Sequence, residues 1–137
     1  MDFTSAQISI VEAIVTCAGI DQWEQIFVDA EIDEGEHDYS LSTVSFAVVR
    51  GTDEQLAKQP FPIDAKGQDA VLAFYSQRRN EADDRITGFD LTIERDGSFR
   101  FRFSHDEPKR ARGQWDVEKA RRLENYLACY RKTEGQT

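Results

Sequence analysis

No lysine or arginine occurs before Arg50, although ten aspartate and glutamate residues lie in that stretch. From Arg50 onward, seventeen basic residues face sixteen acidic ones, so the net charge of −9 arises in the first third of the chain. Six of the ten carboxylates fall within residues 29–38. Such concentrated negative charge repels nucleic acid and attracts basic partners. A solvated acidic hairpin that only keeps the protein in solution is the alternative.

The chain lacks segments that would place it in a membrane or in an oxidising compartment. The apolar run at residues 8–20 is shorter than a bilayer requires and is interrupted by Glu12. No basic region precedes this run, so a secretory leader is not expected. Cys17 and Cys129 have no metal-type spacing and are predicted to be buried free thiols. We therefore expect a cytoplasmic protein that does not associate with membranes.

Sequence signatures of common catalytic sites are missing as well. The chain has no P-loop, no G-x-S-x-G motif and no dinucleotide-binding glycine pattern. Its two histidines, His37 and His105, are expected to be exposed and structural. The stretch "DEGEHD" lacks the ligand spacing of an EF-hand calcium loop. The sequence therefore predicts a non-catalytic protein without metal or cofactor, and a small-ligand cavity under the sheet stays open as a further alternative.

Hydrophobic periodicity predicts seven elements in the order α-β-β-α-β-β-α. The first helix ends at Gly19, a central helix runs from its cap at Asp64 to about Asn80, and Asp116 caps the last helix. We expect a single α+β domain over residues 1–132 with a frayed tail at residues 133–137. Its antiparallel sheet should consist of two hairpins, about four strands, with the helices packed on one face.

The second predicted strand, residues 38–50, changes its alternation part of the way along. Tyr39 and Leu41 share one phase, whereas the apolar residues that follow share the other (Val44, Phe46 and Val48). The change predicts a bulge or twist near Ser42 and Thr43. The next segment, in which Pro60 and Pro62 flank Phe61, is predicted to be a non-helical connection.

The stretch "GFDLTIERDGSFRFRF" alternates phenylalanine with arginine at its end. A two-residue turn would mix apolar and charged side chains on each face, whereas a three-residue turn, Arg95-Asp96-Gly97, separates them. The second register pairs Ile93 with Phe99, Leu91 with Phe101 and Phe89 with Phe103, and it opposes Asp90 to Arg102 and Thr92 to Arg100. The segregated register is favoured because a one-residue slip would expose half of the apolar set. An RNA-stacking strand is disfavoured because the RNP1 glycines are missing and the pI is about 4.7.

Two segments carry a resemblance to a known family. One is "WEQIFVDAEID", with Trp23, Glu24, Ala30 and Glu31. The other is "GFDLTIERDGSFRFRFSHDEP", with Leu91, Ile93, Asp96, Gly97, Phe99, Phe103, Asp106 and Glu107. Together with the order of elements over roughly residues 5 to 127, these segments resemble the YezG-like immunity (antitoxin) family. The chain departs from that pattern in "KRAR" after Phe103, where an acidic continuation is expected, and in its second strand.

The resemblance implies a small cytoplasmic protein that binds and neutralises a cognate toxin with a basic surface, often a nuclease. We therefore assign the partner interface to one apolar residue and six carboxylates: Phe27, Asp29, Glu31, Asp33, Glu34, Glu36 and Asp38. Phe27 is chosen because alternation places it on the charged side of its strand, although a helix covering that side would bury it. The runner-up is a regulatory binding domain that presents Arg100 and Arg102 to RNA or to an acidic protein.

Overall fold

The computed structural model describes residues 3–134, with side chains described for residues 4–130. The described residues form four helices and five strands. In chain order they are α1 (Phe3–Ala18), β1 (Gln25–Glu34), β2 (Tyr39–Arg50), β3 (Leu56–Pro60), α2 (Ala65–Ala82), β4 (Gly88–Glu94), β5 (Phe99–Ser104), α3 (Val117–Glu124) and α4 (Tyr126–Glu134). The predicted α+β class is confirmed. Of the predicted frayed tail at residues 133–137, the first two belong to α4 and residues 135–137 lie outside the described part.

The five strands form one antiparallel sheet in the order β3-β2-β1-β4-β5, with β1 at its centre. The prediction of about four strands missed β3, which pairs with the end of β2. β3 is a short edge strand that ends at Pro60, and an edge position is where a strand tolerates proline. The segment that contains Pro60 and Pro62 was therefore predicted to be a connection, although Leu56–Pro60 within it is a strand.

One face of the sheet carries the main apolar core beneath α1 and α2. Alternate residues of β1 point into it, and Ile26 and Val28 are both 0% exposed. α1 contributes Ile10 and Ile14 at helical spacing, and α2 contributes Phe74. Asp64 caps α2 as predicted, because its side chain accepts a hydrogen bond from the Gly67 N–H at 2.9 Å.

The other face of the sheet is covered by the end of the chain, which corrects the prediction that all helices lie on one face. The loop at residues 105–116 with α3 and α4, here called the C-terminal cover, lies across this face. Tyr126 packs its ring against Phe27 at 4.7 Å and against Phe46 at 5.0 Å between ring centroids. Lys58 of β3 donates to the Leu123 carbonyl at 2.8 Å. The predicted last helix begins after its Asp116 cap but is divided at Asn125 into α3 and α4.

This second covered face explains the change of phase in β2. The pairing of β1 with β2 runs without interruption from Gln25↔Val48 to Glu34↔Tyr39. The predicted bulge near Ser42 and Thr43 is therefore wrong. Tyr39 and Leu41 point toward α2 and the main core, while Val44, Phe46 and Val48 point toward the C-terminal cover. Both phases are apolar because each serves a different core.

The β4–β5 hairpin has the predicted three-residue turn and the predicted register. Phe89 lies opposite Phe103, Leu91 opposite Phe101 and Ile93 opposite Phe99. Gly97 has φ of +92°, a conformation that favours glycine at this turn position. The phenylalanines face α2, and Arg100 and Arg102 are exposed. The alternation of phenylalanine and arginine thus separates core from solvent.

The cysteines do not pair with each other. Neither Cys17 nor Cys129 forms a disulfide bond, as predicted. The prediction that both are buried is wrong, because Cys17 is partly exposed and Cys129 is exposed. Burial, the largest effect, raises the pKa of Cys17, whose thiol donates a hydrogen bond to the Asp64 carboxylate. A raised pKa disfavours the thiolate, so Cys17 is not an activated nucleophile.

Candidate functional site

Two of the six carboxylates assigned to a partner interface are buried inside the molecule. Asp29 and Glu31 lie on the β1 face beneath the C-terminal cover, and they are 4% and 2% exposed. Phe27 lies on the same face and is 7% exposed, so the expectation that this side of the strand is open to solvent is corrected. Buried carboxylates must be paired with cations or hydrogen-bond donors to be tolerated.

Arg110, in the loop before α3, supplies the first of these cations. Its Nη2 donates to the Asp29 carboxylate at 2.8 Å and to the Asp29 carbonyl at 3.0 Å. Its Nε donates to the Ser42 hydroxyl at 2.7 Å, and its backbone N–H donates to Glu31 Oε1 at 2.9 Å. Arg110 therefore ties the loop to both β1 and β2.

Lys119, in the first turn of α3, supplies the second cation. Its Nζ lies 2.6 Å from Glu31 Oε2 and 3.3 Å from Asp29 Oδ1. Outside this buried layer, Arg112 pairs with Asp33 at 3.2 Å and with Glu107 at 3.3 Å. Two arginines of the "KRAR" segment, Arg110 and Arg112, thus neutralise carboxylates of β1 in the same chain. In the sequence, this segment was noted only as a departure from the family pattern.

A third carboxyl group, Asp90 of β4, lies directly opposite Asp29 in the sheet. Burial, followed by the hydrogen bond and the negative charge of Asp29, raises the pKa of Asp90 to about 7. Burial opposes ionisation of Asp29 too, but the hydrogen bond from Asp90 and the charges of Lys119 and Arg110 lower its pKa overall. At neutral pH the pair therefore holds a proton about half of the time, and that proton resides on Asp90.

This pair gives the stability of the protein a specific pH dependence. The folded-state pKa of Asp90 lies above the ordinary 3.8, so the folded state holds this proton more tightly. The resulting stabilisation is fully present below about pH 4 and is lost as the pH rises toward 7. Asp90→Asn cannot ionise, and its amide can donate to Asp29.

We therefore expect Asp90→Asn to be more stable than the wild type at pH 8 and nearly equal to it at about pH 4. Urea unfolding across this range measures the difference. Asp69→Asn, an exposed aspartate of α2 with the same change of charge, is the control and should show no such trend. A stability difference for Asp90→Asn that does not vary with pH would contradict the proton assignment.

Asp90 lies in the wall of a polar cleft with a volume of about 630 Å³. The cleft opens between the β1–β4–β5 part of the sheet, the loop after β5 and the start of α3. The residues that line it are Asp29, Ala30, Glu31, Thr87, Gly88, Phe89, Asp90, Arg102, Phe103, Ser104, His105, Asp106, Glu107, Pro108, Lys109, Asp116, Glu118, Lys119 and Arg122. Gly88 permits close approach of β4 to β1, since a Cβ there would lie 2.3 Å from the Ala30 carbonyl oxygen.

The remaining predicted interface residues lie at one end of the sheet. Glu34 accepts hydrogen bonds from Arg79 and from the Tyr75 hydroxyl, and burial together with Glu34 raises the pKa of Tyr75 to about 12. Glu36 and Asp38 are exposed in the β1–β2 turn. Among the described side chains, no ion pair involves either of these two carboxylates. They are the part of the acidic stretch that remains open to a partner.

Sequence reasoning missed the acidic residues that the fold adds to this end. β1, β4 and β5 are antiparallel neighbours, so the β1–β2 turn lies at the same end as the loops before β4 and after β5. Those loops contribute Asp83, Asp106 and Glu107, all exposed. Asp84 is held by Arg78 and by His105, whose Nε2 lies 2.7 Å from its carboxylate. The "ADD" and "HDEP" stretches were visible, but their proximity depends on the strand order.

The described side chains contain no group of three or more histidine, cysteine or acidic residues arranged to hold a metal ion. Within residues 3–134, no helix combines the length and the apolar character needed to cross a bilayer. No known protein-family pattern matches the chain, and no curated protein matches it.

Proposed function

We propose that the chain is an immunity-type protein that binds a cognate toxin with a basic surface and blocks it by occlusion. The observation that carries this proposal is the division of the acidic stretch into an internally paired part and an open part. Asp29 and Glu31 are neutralised within the chain, whereas Glu36 and Asp38 remain exposed. The resemblance of "WEQIFVDAEID" and the β4–β5 hairpin to YezG-like immunity proteins supplies the class of partner.

The physical basis is electrostatic complementarity. A nuclease needs a basic groove to bind phosphates, and an acidic protein surface can occupy that groove in place of nucleic acid. Opposite charges also accelerate association, and the acceleration weakens as salt increases. The net charge of −9 and the acidic end of the sheet fit such a partner. Rapid capture is what an immunity protein requires, since free toxin is harmful.

The proposed interface consists of the outer carboxylates of the assigned set. Glu36 and Asp38 lie at its centre because they are exposed. Asp33 and Glu34 lie at its inner edge, with side chains 29% and 25% exposed and with arginine partners of their own. Phe27, Asp29 and Glu31 would contribute only if the C-terminal cover moved away from β1. The turn is therefore the part of the stretch to test first.

Charge reversal at the turn should slow association with the toxin. We expect Glu36→Lys combined with Asp38→Lys to reduce the association rate constant by about tenfold at low salt and to flatten its dependence on salt. Surface plasmon resonance with the product of the adjacent gene, in catalytically inactive form, measures both quantities. Glu12→Lys combined with Asp69→Lys reverses two exposed charges on α1 and α2 and is the matched control.

If the wild type binds the toxin and the turn variant associates at the same rate, the interface lies elsewhere on the molecule. Slower association of the turn variant, matched by equally slow association of the control variant, would indicate a dependence on net charge alone. Either outcome leaves the toxin-binding proposal standing but removes the β1–β2 turn from it. Absence of binding by the wild type would count against the function itself.

One observation favours the alternative function, a regulatory domain that binds RNA or an acidic protein. Arg100 and Arg102 are exposed on β5, and among the described residues neither forms an ion pair. Their side chains lie on the sheet face beside α3, which carries the exposed Arg121 and Arg122. Binding of generic RNA at low salt, lost in Arg100→Gln combined with Arg102→Gln, would favour this alternative over toxin neutralisation.

A further inference from the structure

The buried polar layer between β1 and the C-terminal cover contains fewer cations than carboxyl groups. Asp29, Glu31 and Asp90 form its acidic side, and within ion-pair distance of Asp29 and Glu31 the described residues provide Arg110 and Lys119. No described cation lies within that distance of Asp90. Asp90, which borders the cleft, is therefore the carboxyl group of the layer that lacks a cation at ion-pair distance among the described residues.

The charge of the cleft as a whole favours a cationic occupant. Its lining includes seven aspartate and glutamate residues against four lysine and arginine residues and one histidine. Several of these carboxylates are exposed on the outer walls, including Asp106, Glu107 and Glu118. A positive group entering the cleft would pass these walls before reaching Asp90. Clefts lined predominantly by one sign of charge concentrate the opposite charge from solution.

Cations of the same chain face Asp90 without pairing with it. Arg102 lies directly opposite Asp90 on β5, and Lys119 and Arg122 approach it from α3. Lys119 is engaged by Asp29 and Glu31, while Arg102 and Arg122 are exposed to solvent. The positive charges of Lys119 and Arg122 lower the pKa of Asp90, but burial and the neighbouring Asp29 outweigh them.

An exposed tryptophan adjoins a lining residue of the cleft in the chain. Trp115 is 76% exposed and directly precedes Asp116, which lines the cleft. Val117, on the other side of Asp116, is 54% exposed. Tryptophan is strongly enriched among the residues that carry the binding energy of protein interfaces, and its ring also attracts guanidinium groups. A free metal or a small amine would make little use of such a side chain.

The geometry points to a specific occupant: the cleft receives an arginine or lysine side chain from a basic protein partner, with Asp90 as its counter-ion and Trp115 as the flanking apolar contact. This inference rests on the proposed function, because it specifies how a basic toxin would engage the protein. It adds a second contact region to the exposed β1–β2 turn. Both regions lie toward the end of the sheet where β1 finishes and β4 begins.

Occupation of the cleft should be linked to the release of a proton. Because its pKa is about 7, Asp90 is mostly protonated at pH 6 and about half protonated at pH 7. A cation placed beside it stabilises the ionised form, and the displaced proton passes to the solvent. Binding should therefore tighten as the pH rises through 7, by up to about tenfold between pH 6 and pH 8 for a single such group.

The test uses a synthetic capped peptide that alternates arginine and glycine, added to the full-length isotope-labelled protein and followed by NMR. We expect saturable shifts of the Trp115 indole signal and of the backbone signals at residues 87–90, with tighter binding at pH 8 than at pH 6. Asp90→Asn should bind more weakly at pH 8 and lose the pH dependence, and Trp115→Ala should weaken binding at both pH values. Asp69→Asn is the matched control.

Several results would overturn the inference. A peptide with glutamate in place of arginine that binds equally well would exclude charge recognition. If spermidine bound as tightly as the peptide, and if Trp115→Ala did not weaken its binding, the occupant of the cleft would be a free amine and not a protein side chain. No shift in the cleft with the arginine peptide would dismiss the site itself. These failures are distinct from failure of the proposed function, which is judged by binding of the adjacent gene product to the wild type.

Discussion

Replacing Arg110 with methionine should lower the free energy of unfolding by about 3–5 kcal/mol at pH 7. The reason is the environment that the side chain leaves behind. Asp29 and Glu31, at 4% and 2% exposure, would retain Lys119 as their described cationic partner and would lose the guanidinium of Arg110. Breaking a buried pair by removing one partner costs far more than the pair contributes, because the remaining charge stays desolvated. Urea unfolding followed by circular dichroism measures the loss.

Arg112→Met is the matched control for this prediction. Arg112 lies two residues further along the same loop and also pairs with carboxylates, but its side chain is 43% exposed. Exposed ion pairs contribute at most about 1 kcal/mol, so this variant should remain close to the wild type. Equal and small losses for the two variants would mean that the C-terminal cover is not held by the buried layer. The cost of Arg110→Met should also shrink at low pH, where the carboxyl groups can be protonated.

Phe74→Ala should cost a comparable amount, about 3–5 kcal/mol, for a reason that does not involve charge. Phe74 is 1% exposed and contacts the rings of Phe89, Phe101 and Phe103 at centroid distances of 6.3, 5.7 and 5.9 Å. Truncation removes these contacts and leaves a cavity between α2 and the β4–β5 hairpin. The rigid sheet beneath it can collapse only partly, so most of the cavity should persist.

Arg100→Ala provides the comparison on the opposite face of the same hairpin. Arg100 is exposed, and truncating an exposed side chain usually changes stability by less than about 0.5 kcal/mol. A large loss for Phe74→Ala with little change for Arg100→Ala would confirm that the alternation of phenylalanine and arginine divides core from solvent. A small loss for Phe74→Ala would show that this part of the core is loosely packed.

The sequence predicted the parts of the fold that depend on local patterns. The register of the β4–β5 hairpin followed from the alternation of its residues and from the turn chemistry of Arg95-Asp96-Gly97, which act between neighbours in the chain. The caps of α2 and α3 at Asp64 and Asp116 are local as well. In each case one short segment contains all the residues that decide the structure.

The parts that failed depend on contacts between distant segments. β2 carries apolar residues in both phases, which a sheet covered on a single face cannot explain, and the second phase was assigned to a bulge or twist instead of a second core. Phe27 was placed in solvent because nothing in its own strand indicates that Tyr126 covers it. β3 was missed because a segment that contains Pro60 and Pro62 is typical of a connection. Whether a strand lies at the edge of a sheet, where proline is tolerated, cannot be inferred from that strand alone.

The candidate site was predictable only in part, because it also depends on contacts between distant segments. The acidic stretch at residues 29–38 is obvious from the sequence, but the division between buried and exposed carboxylates is not. It depends on Arg110 and Lys119, which lie 81 and 90 residues away from Asp29 in the chain. The sequence did contain one signal, the coincidence of a strand with no cations and a later basic cluster. Neutralisation within the chain explains that coincidence as simply as a basic partner does.

Growth rescue in co-expression tests the central claim most directly. The gene adjacent to this one is expressed in bacteria alone, together with this protein, and together with the variant carrying Glu36→Lys and Asp38→Lys. The account predicts that the adjacent product is toxic alone, that the wild type restores growth and co-purifies with it, and that the variant protects less well. A toxic product that the wild type neither neutralises nor binds would contradict the assignment of this protein as its immunity partner.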